Sequence, residues 1–395
     1  MAEKREVVIV SAVRTAIGTF GGTLKDFSSS QLGTVAVKEA IARAGIDVAQ
    51  IGHLVCGNVI HGEARDMYVS RAIALDAGMV KESCALTLNR LCGSGLQAIV
   101  TASNAIQLGD TDAAIGCGVE TMSRSGYLAP AMRFGARMGD TKMIDMMIGA
   151  LTDPFSPNHM GITAENVAAQ FGITRDDQDK FALESQRRTA AAIDAGHFKS
   201  QIVPVEIQTR KGTTIFDTDE HPKRDTTMES LGKLRAAFKK DGTVTAGNAS
   251  GINDGAAAVV LMEASAAAKA GAKPLARLVS YAVAGVDPSI MGTGPIPAVQ
   301  LALKRAGLQA SDMDVIESNE AFAAQACSVN KELGLDTAKV NANGGAIALG
   351  HPLGATGAIL TVKCVAELAR TNKRYGLVTM CIGGGQGIAA IFERI

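Results

Sequence analysis

The chain has no tryptophan and few aromatic residues, which make up 4% of its 395 residues. Aromatic platforms that stack nucleic-acid bases are therefore not expected. Net charge is absent as well, because 39 basic residues balance 39 acidic ones, whereas a nucleic-acid surface usually shows a basic excess. The sequence also lacks any run of about 18 apolar residues. These absences argue against nucleic-acid and membrane partners.

The seven cysteines lack the spacing of a metal site or a disulfide framework. Their number is odd, and none of them belongs to a Cys-x-x-Cys motif, which argues against bound zinc and against structural disulfides. The N-terminal segment leads directly into the short apolar run Val7–Val10, which is too short for a signal sequence. We therefore expect a cytoplasmic protein without a bound metal.

Short β-rich runs alternate with longer segments of helical periodicity. This alternation is typical of an α/β fold in which helices cover the faces of a sheet, and a chain of this length is expected to form two or three packed units. The pattern predicts strands at Val7–Ser11, His53–Cys56, Cys84–Leu88 and Ala113–Cys117, and helices at Gln31–Ala44, Ala64–Ala77 and Ser94–Leu108.

The second half of the chain repeats the first at an offset of 262 residues, as between Gly45 and Gly307. Two separate segments keep this register: one around Gly45, and one in which Leu91 and Gly95 match Leu353 and Gly357. A constant period indicates a duplicated structural unit. We predict an N-terminal half at 1–122 plus 251–274, a C-terminal half at 275–395, and between them a large loop domain at 123–250.

Two glycine-rich turns and a third turn between them carry candidate reactive groups. Cys92 follows a predicted strand and opens a predicted helix, where exposed N–H groups and the helix dipole are expected to lower the pKa of a thiol. Cys381 precedes a run of three glycines, and His351 lies in the turn Gly350-His351-Pro352. Together they suggest a nucleophile, its base and access for a bulky substrate.

Asn319 is a further candidate because it follows a predicted strand at Asp314–Ser318. The ends of strands are where α/β sheets place functional groups. Its amide can hold a water molecule or an oxyanion, although an asparagine at a strand end also serves as a simple turn residue.

These motifs resemble those of the thiolase family, and the resemblance covers the whole chain. It rests on Asn89–Gly95, Asn319–Phe322, Gly350–Pro352 and Cys381–Gly385, and on a fifth segment, Thr245–Gly251, at the end of the loop domain. The resemblance implies duplicated α/β units in an αβαβα layering with the loop domain inserted. It implies an acyltransferase that condenses two acyl-CoA molecules or cleaves a 3-ketoacyl-CoA.

The resemblance also implies a role for each candidate. Cys92 becomes acylated and His351 activates it, while Cys381 removes the α-proton of the second acyl-CoA. Asn319, through a water molecule, and His351 form one oxyanion site, and the N–H groups of Cys92 and Gly383 form the other. Such a division suits the chemistry, because thioester exchange needs a thiolate and carbon–carbon bond formation needs a separate base.

Coenzyme A is expected to be a substrate and product, with no further cofactor. The expected contacts lie mainly in the loop domain, where Lys223 and Arg224 compete for the place beside the nucleotide. The resemblance also implies a homotetramer through the methionine-rich stretch Tyr127–Met147. The residues expected to line the coenzyme A channel are Leu151, His159, Met160, Gln186, Lys223, Arg224, Ser230, Phe238, Ala246, Ser250, Ala321 and Phe322.

Other interpretations fit less of the sequence. A decarboxylating ketoacyl synthase has one cysteine and lacks the counterpart of Cys381. A non-catalytic acyl-CoA or lipid carrier on the same scaffold is expected to lack Cys92 or His351, and a degradative thiolase for longer chains stays open. The segment Gly383–Gly387 superficially resembles a dinucleotide-binding loop, but a predicted strand at Ile388–Phe392 follows it where a helix is required.

Overall fold

The computed structural model describes residues 5–210 and 212–395. The strands are β1 Val7–Thr15, β2 Gly18–Thr19, β3 Ile51–Gly57, β4 Cys84–Leu88, β5 Ala113–Thr121, β6 Tyr127–Leu128, β7 Ile144–Asp145, β8 Ile202–Val203, β9 Val205–Thr209, β10 Gly212–Phe216, β11 Asn253–Glu263, β12 Ala276–Gly285, β13 Val315–Ser318, β14 Tyr375–Ile382 and β15 Gln386–Arg394. The α-helices are α1 Ser29–Ala44, α2 Val69–Asp76, α3 Ser94–Leu108, α4 Met146–Ala150, α5 Met160–Phe171, α6 Arg175–Asp194, α7 Met228–Gly232, α8 Ala264–Ala270, α9 Pro295–Ala306, α10 Ala323–Leu333, α11 Ala346–Leu349 and α12 Leu353–Thr371. Short 3₁₀ segments lie at Val48–Gln50, Ala64–Tyr68, Met122–Arg124, Pro130–Phe134, Pro288–Thr293 and Ala310–Asp312.

One long mixed sheet runs through the molecule in the order β13-β14-β15-β12-β1-β11-β5-β3-β4. Its two halves meet at the antiparallel pair β1–β12, where Val8 lies opposite Arg277 and Ile9 opposite Ala276. Each half carries strands from one copy of the repeat, so the junction of the halves lies in the middle of the sheet.

Both halves of the sheet are covered on both faces. In β11, Ala257, Val259 and Leu261 pack into a central cluster with α3 and α12, whereas the alternate residues Ala258 and Val260 pack outward with α1 and α2. The outer face of the other half packs with α9. Strands buried on both faces read as continuous apolar runs. The predicted α/β fold with αβαβα layering is confirmed.

The central helices α3 and α12 cross at very short range. A Cβ built on Gly95 lies 2.6 Å from the amide nitrogen of Ala358, and one built on Gly357 lies 2.2 Å from that of Leu96. Contacts this short exclude any side chain larger than hydrogen. The two glycines are counterparts in the repeat, and they bring the N-terminal ends of both helices together at the junction.

The repeat appears in the elements as well as in the sequence. Helices α1 and α9 both end at a left-handed glycine, Gly45 with φ 66° and Gly307 with φ 67°. Strands β5 and β14 begin at Ala113 and Tyr375, again 262 residues apart. β1 and β12 follow a different offset, since their bulges fall between Ile9 and Ser11 and between Leu278 and Ser280.

The loop domain replaces a turn. Residues 122–252 connect β5 to β11, whereas the equivalent strands β14 and β15 are joined by three residues, Gly383–Gly385. The loop domain contains the two long helices α5 and α6, together with several short strands. The exact limits set at 123–250 remain a prediction.

One predicted element is wrong in part. The segment Ala64–Ala77 was expected to be one helix, but it begins as a 3₁₀ turn at Ala64–Tyr68 and becomes α-helical only at Val69. The Asp66 carboxylate accepts hydrogen bonds from the N–H groups of Gly62 (2.8 Å) and Glu63 (3.2 Å) and holds this tighter turn. Among the helices of the described residues, none is both long and apolar enough to cross a bilayer.

Candidate active site

The turn that carries Cys92 is held by its own side chains. It lies between β4, which ends at Leu88, and α3, which begins at Ser94. The side-chain Oδ1 of Asn89 accepts from the N–H of Leu91 at 2.8 Å, and the Ser94 hydroxyl accepts from the N–H of Arg90 and donates to Leu91 O. Leu91 has a φ of 46°, a conformation that non-glycine residues rarely adopt.

The Cys92 thiol lies where the two halves of the chain meet. It accepts hydrogen bonds from the backbone N–H groups of Cys92 and Gly383, which lower its pKa, but desolvation has the larger effect and raises it to about 11. The lowered pKa expected from the helix N-terminus is therefore wrong, because burial outweighs the N–H groups. A thiol in this state needs a base to take its proton.

His351 can supply that base. It is buried, its Nδ1 lies 2.6 Å from the Thr356 hydroxyl, and that hydroxyl donates to Pro352 O at 2.9 Å. The hydroxyl therefore accepts from Nδ1–H, which leaves the lone pair on Nε2 free to act as a base. Burial lowers the pKa of His351 to about 4, so the imidazole is neutral near pH 7.

Asn319 lies directly after β13 and faces the imidazole. Its N–H donates to Thr379 O at 3.0 Å, and its Nδ2 lies 3.4 Å from His351 Nε2. The amide oxygen is buried and has no hydrogen-bond partner among the described residues. Glu320, the next residue, is anchored by the Ser185 hydroxyl at 2.7 Å. The amide is thus held in place with one polar atom unsatisfied, as a water-holding group requires.

Cys381 lies near the end of β14 and is fully buried in an apolar cluster. Burial raises the pKa of its thiol, and the neighbouring Cys92 raises it further. The two thiols are therefore close enough for the charge of one to act on the other. The cluster around Cys381 consists of Met160, Ala164, Val244, Ala249, Met291, Ala321 and Phe322.

Both parts of the chain match descriptions of a known family. "Thiolase, N-terminal domain" matches residues 7–265, and "Thiolase, C-terminal domain" matches residues 272–394. The chain belongs to the thiolase family. The family and the fold expected from the motifs are confirmed.

Several relatives resemble this thiolase along their full length. Beta-ketothiolase BktB of Cupriavidus necator is 64% identical over 392 residues, which cover 99% of this chain and all of that protein. Acetyl-CoA acetyltransferase of Escherichia coli is 52% identical over 393 residues, with 99% and 100% covered.

Solved structures of similar proteins also superpose on this chain along its full length. Human mitochondrial 3-ketoacyl-CoA thiolase superposes with a TM-score of 0.97 at 46% identity, covering 99% of each chain. The acetyl-CoA acetyltransferase of Bacillus anthracis gives a TM-score of 0.98 at 44% identity, covering both chains completely.

One group of the predicted coenzyme A residues lies together beside Cys381 and Gly383. The His159 ring stacks on Phe238 with 4.6 Å between centroids, and Phe238 meets Phe322 edge to face at 6.1 Å. Ser250 donates its N–H to Ala321 O at 3.0 Å. We call the rings of His159, Phe238 and Phe322 the aromatic wall. The predicted residues that belong to this wall or to the cluster around Cys381, or are bonded to it, are His159, Met160, Phe238, Ser250, Ala321 and Phe322. Leu151 packs instead in the apolar cluster that contains Cys92.

The remaining members do not belong to the apolar clusters that contain Cys381 and Cys92. Gln186 is buried and accepts from the N–H of Lys223 at 2.9 Å, so it supports the segment that carries the two basic residues. Arg224 forms an ion pair with Asp194 at 2.8 Å, whereas the Lys223 side chain is exposed. Ser230 is exposed and takes part in the cap of α7, and Ala246 is exposed as well.

Sequence reasoning missed three residues that shape this site. Thr356 sets the His351 tautomer, and Asn253 accepts from the His351 N–H at 3.0 Å. Glu120, at the end of β5, is fully buried and accepts a hydrogen bond from Gly354 at 2.7 Å. Only Glu120 left a signal, as an acidic residue that ends an apolar strand, and strand ends are where such groups act.

Proposed function

We propose that this thiolase catalyses the reversible Claisen condensation of two acyl-CoA molecules, such as two acetyl-CoA, and the thiolytic cleavage of 3-ketoacyl-CoA. One observation carries the proposal: turns from opposite halves meet, since a Cβ built on Gly93 lies 2.6 Å from Ile382 Cδ1 and one built on Gly383 lies 3.1 Å from Leu91 Cδ1. The Gly383 N–H also lowers the pKa of the Cys92 thiol. The names of the similar proteins, beta-ketothiolase and acetyl-CoA acetyltransferase, agree with this reaction.

The first half-reaction transfers an acyl group to Cys92. His351 Nε2 takes the thiol proton as the sulfur attacks the thioester carbonyl of the first acyl-CoA. The N–H groups of Cys92 and Gly383 stabilise the oxyanion of the tetrahedral intermediate. Coenzyme A then leaves as its thiol with the proton from His351. Each lost oxyanion donor costs on the order of 10²–10³ in rate.

The second half-reaction forms the carbon–carbon bond. His351 takes the proton of the Cys381 thiol, and the resulting thiolate takes a proton from the α-carbon of the second acyl-CoA. Asn319, through a water molecule, and His351 stabilise the enolate oxygen. The enolate carbon attacks the acyl group on Cys92, and the Cys92 sulfur leaves and regains a proton from His351. Cleavage of a 3-ketoacyl-CoA is the same sequence in reverse.

The pKa values suit a resting site without charge. Desolvation raises the pKa of Cys92 to about 11 and lowers that of His351 to about 4, so both groups are neutral near pH 7. The ion pair forms only when the thiol reacts. A neutral pair costs less in a desolvated site than separated charges do.

Mass spectrometry tests the first step directly. After brief exposure to acetoacetyl-CoA, one acetyl group is expected on Cys92, and initial rates are expected to follow ping-pong kinetics. Acetylation of Cys381, Cys84 or another cysteine instead of Cys92 would contradict the proposed nucleophile. A protein that binds acyl-CoA without acylation at any cysteine would favour the carrier.

The substrate range is proposed to centre on short acyl chains, with coenzyme A as substrate and product and no further cofactor. A comparison of kcat/KM for acetoacetyl-CoA, 3-ketovaleryl-CoA and longer 3-ketoacyl-CoAs separates this proposal from a degradative long-chain enzyme. Preference for the longest chains would favour the degradative enzyme. A role in polyhydroxyalkanoate synthesis stays a prediction from the resemblance to the thiolase family.

The assembly is proposed to be a cytoplasmic homotetramer, a dimer of dimers. The stretch Tyr127–Met147 exposes large apolar side chains: Phe134 is 90% exposed and Met138 is 96% exposed. Apolar patches of this kind usually mark protein interfaces. Light scattering at micromolar concentration is expected to give the mass of four chains. A monomer would refute the assembly without touching the proposed chemistry.

A further inference from the structure

A carboxyl group lies buried at the junction of the two halves, outside the set of groups that act on substrate. Glu120 is fully buried, and four N–H donors surround it. Its Oε2 accepts from the backbone of Gly354 at 2.7 Å and of Val59 at 3.1 Å, and its Oε1 accepts from the backbone of Ile60 at 3.0 Å and from Asn58 Nδ2 at 3.2 Å.

These bonds join the turn of the base to the turn of the nucleophile. Gly354 follows His351 by three residues and stands at the start of α12. On the other side, the Asn89 amide donates to Val59 O at 3.3 Å, and Asn89 begins the turn that contains Cys92. A continuous path therefore runs from the Cys92 turn through Val59 and Glu120 to the His351 turn.

The packing around Gly354, at the end of this path beside the His351 turn, leaves no room for a side chain. A Cβ built on Gly354 lies 2.8 Å from Glu120 Oε2 and 2.8 Å from Val119 O. Gly354 is the counterpart of Cys92 in the repeat. The N-terminal end of α12 thus faces the carboxyl group of Glu120, whereas the N-terminal end of α3 carries the nucleophile Cys92.

We propose that Glu120 is the positioning residue that sets the His351 turn against the Cys92 turn. The proposal rests on the thiolase reaction described above and assigns Glu120 no contact with substrate.

The charge state of Glu120 depends on pH. All four neighbours donate, so a protonated carboxyl would place its own hydrogen against another N–H group, which favours the ionised form. Burial works in the opposite direction, is the larger effect and raises the pKa of Glu120 to about 8. The carboxyl is therefore largely protonated near pH 7 and ionised in the alkaline range where Cys92, with a pKa of about 11, titrates. The titratable groups that face it are Asp66, Cys56 and Cys92. Its charge raises the pKa of Cys92, so its removal is expected to lower that pKa.

The experiment compares two glutamates in matched surroundings. Glu165 is also buried and accepts from the N–H groups of Thr243 and Val244, both at 2.8 Å, but it lies in the loop domain. Glu120→Gln and Glu165→Gln are each measured for kcat, for the KM of acetoacetyl-CoA, and for the pH profile of Cys92 alkylation by iodoacetamide. Peptide mass spectrometry assigns the alkylated cysteine.

Glu120→Gln is expected to lower kcat by up to about 10²-fold, as a small misplacement of catalytic groups does, with little change in KM. Its alkylation profile is expected to move to lower pH, whereas Glu165→Gln keeps the wild-type profile. Glu120→Asp keeps the charge but is one methylene shorter, so it is expected to lose kcat and retain the profile, and it serves if Glu120→Gln does not fold.

Three results would overturn the proposal: an unmoved profile in folded Glu120→Gln, the same shift in Glu165→Gln, or wild-type kcat in Glu120→Asp. Failure of the thiolase reaction itself is distinguishable, because the wild-type protein would then not acquire an acetyl group on Cys92.

Discussion

The two halves of this thiolase share strands, helices and glycine caps, yet their turns carry different chemistry. At the offset of 262 residues, Cys92 corresponds to Gly354 and His351 corresponds to Asn89. Likewise, Cys381 corresponds to Val119 and Asn319 to Gly57. The four proposed catalytic side chains therefore lack a reactive counterpart. The duplicated framework is symmetric in its layers, but the chemistry at its junction is divided, with the nucleophile in one half and the three other groups in the second.

The two halves also differ in the connection between their equivalent strands, β5 to β11 in the first half and β14 to β15 in the second. In the second half, Gly383–Gly385 form a tight turn that presents an N–H group to Cys92. In the first half, the same connection holds the loop domain, with the aromatic wall of His159 and Phe238. The comparison indicates that strands and central helices position the turns, while the turns alone distinguish the halves.

Removal of the nucleophile is expected to have the largest effect. Cys92→Ser should lower both acylation and overall turnover by on the order of 10⁴-fold or more, because groups that act as a unit fail together. Single-turnover measurements of acyl transfer and steady-state rates check this. Substantial activity in Cys92→Ser would mean that the second half alone carries the reaction.

Replacement of Cys381, the proposed acid or base in the second half, is expected to slow condensation but not acylation. Cys381→Ser should still acquire an acyl group on Cys92, but condensation should fall by about 10²–10⁴-fold, the usual contribution of a general acid or base. Mass spectrometry of the acyl-enzyme and a condensation assay separate the two steps. Full condensation activity in this variant would contradict the role assigned to Cys381.

The hydroxyls at the starts of the two central helices offer a matched pair. Thr356 bonds the His351 imidazole, whereas its counterpart Ser94 bonds only the backbone of its own turn. Thr356→Val should lower kcat by up to about 10²-fold through the misplaced imidazole. Ser94→Ala should mainly lower the thermal unfolding temperature. Equal kcat losses in the two variants would show that the hydroxyls act alike.

The basic pair of the loop domain is expected to serve affinity. Replacing Lys223 and Arg224 with Ala should raise the KM for acyl-CoA by up to about fivefold, the range for exposed charge pairs, and weaken its salt dependence. Lys223 should contribute more, because Arg224 is held by Asp194. A pantetheine thioester without the nucleotide is the control. A large fall in kcat would mean that this segment shapes the catalytic centre.

A change of pH near neutrality is expected to have the smallest effect, and the quantity it acts on is the acylation rate. A pKa of about 4 for His351 and of about 11 for Cys92 places both titrations outside pH 6–7, a range that also lies below the pKa of Glu120, about 8. The acylation rate should therefore stay nearly constant there and fall only as acid protonates the imidazole. Stopped-flow acylation rates across this range test it. An inflection near 6.5 would indicate a solvated His351.

Much of the fold could be predicted because it depends on local patterns. The alternation of apolar runs and helical periodicity marked β4 at Cys84–Leu88 and α3 at Ser94–Leu108 with the bounds that the structure has. The offset of 262 residues indicated the duplication, and the turns around Cys92 and His351 indicated the family. Conformation in such turns follows from glycine, proline and small polar residues close along the chain.

Tertiary structure alone decided the electrostatics. The helix N-terminus at Cys92 predicted a lowered pKa, but desolvation raises it, and desolvation depends on residues distant in sequence. Glu120 reaches Gly354 across 234 positions, and Arg224 meets Asp194 only after folding. Local sequence determined which turns form, because their dihedral preferences are local. Packing determined the charge and the partners of each group, because both depend on what the fold brings within a few ångströms.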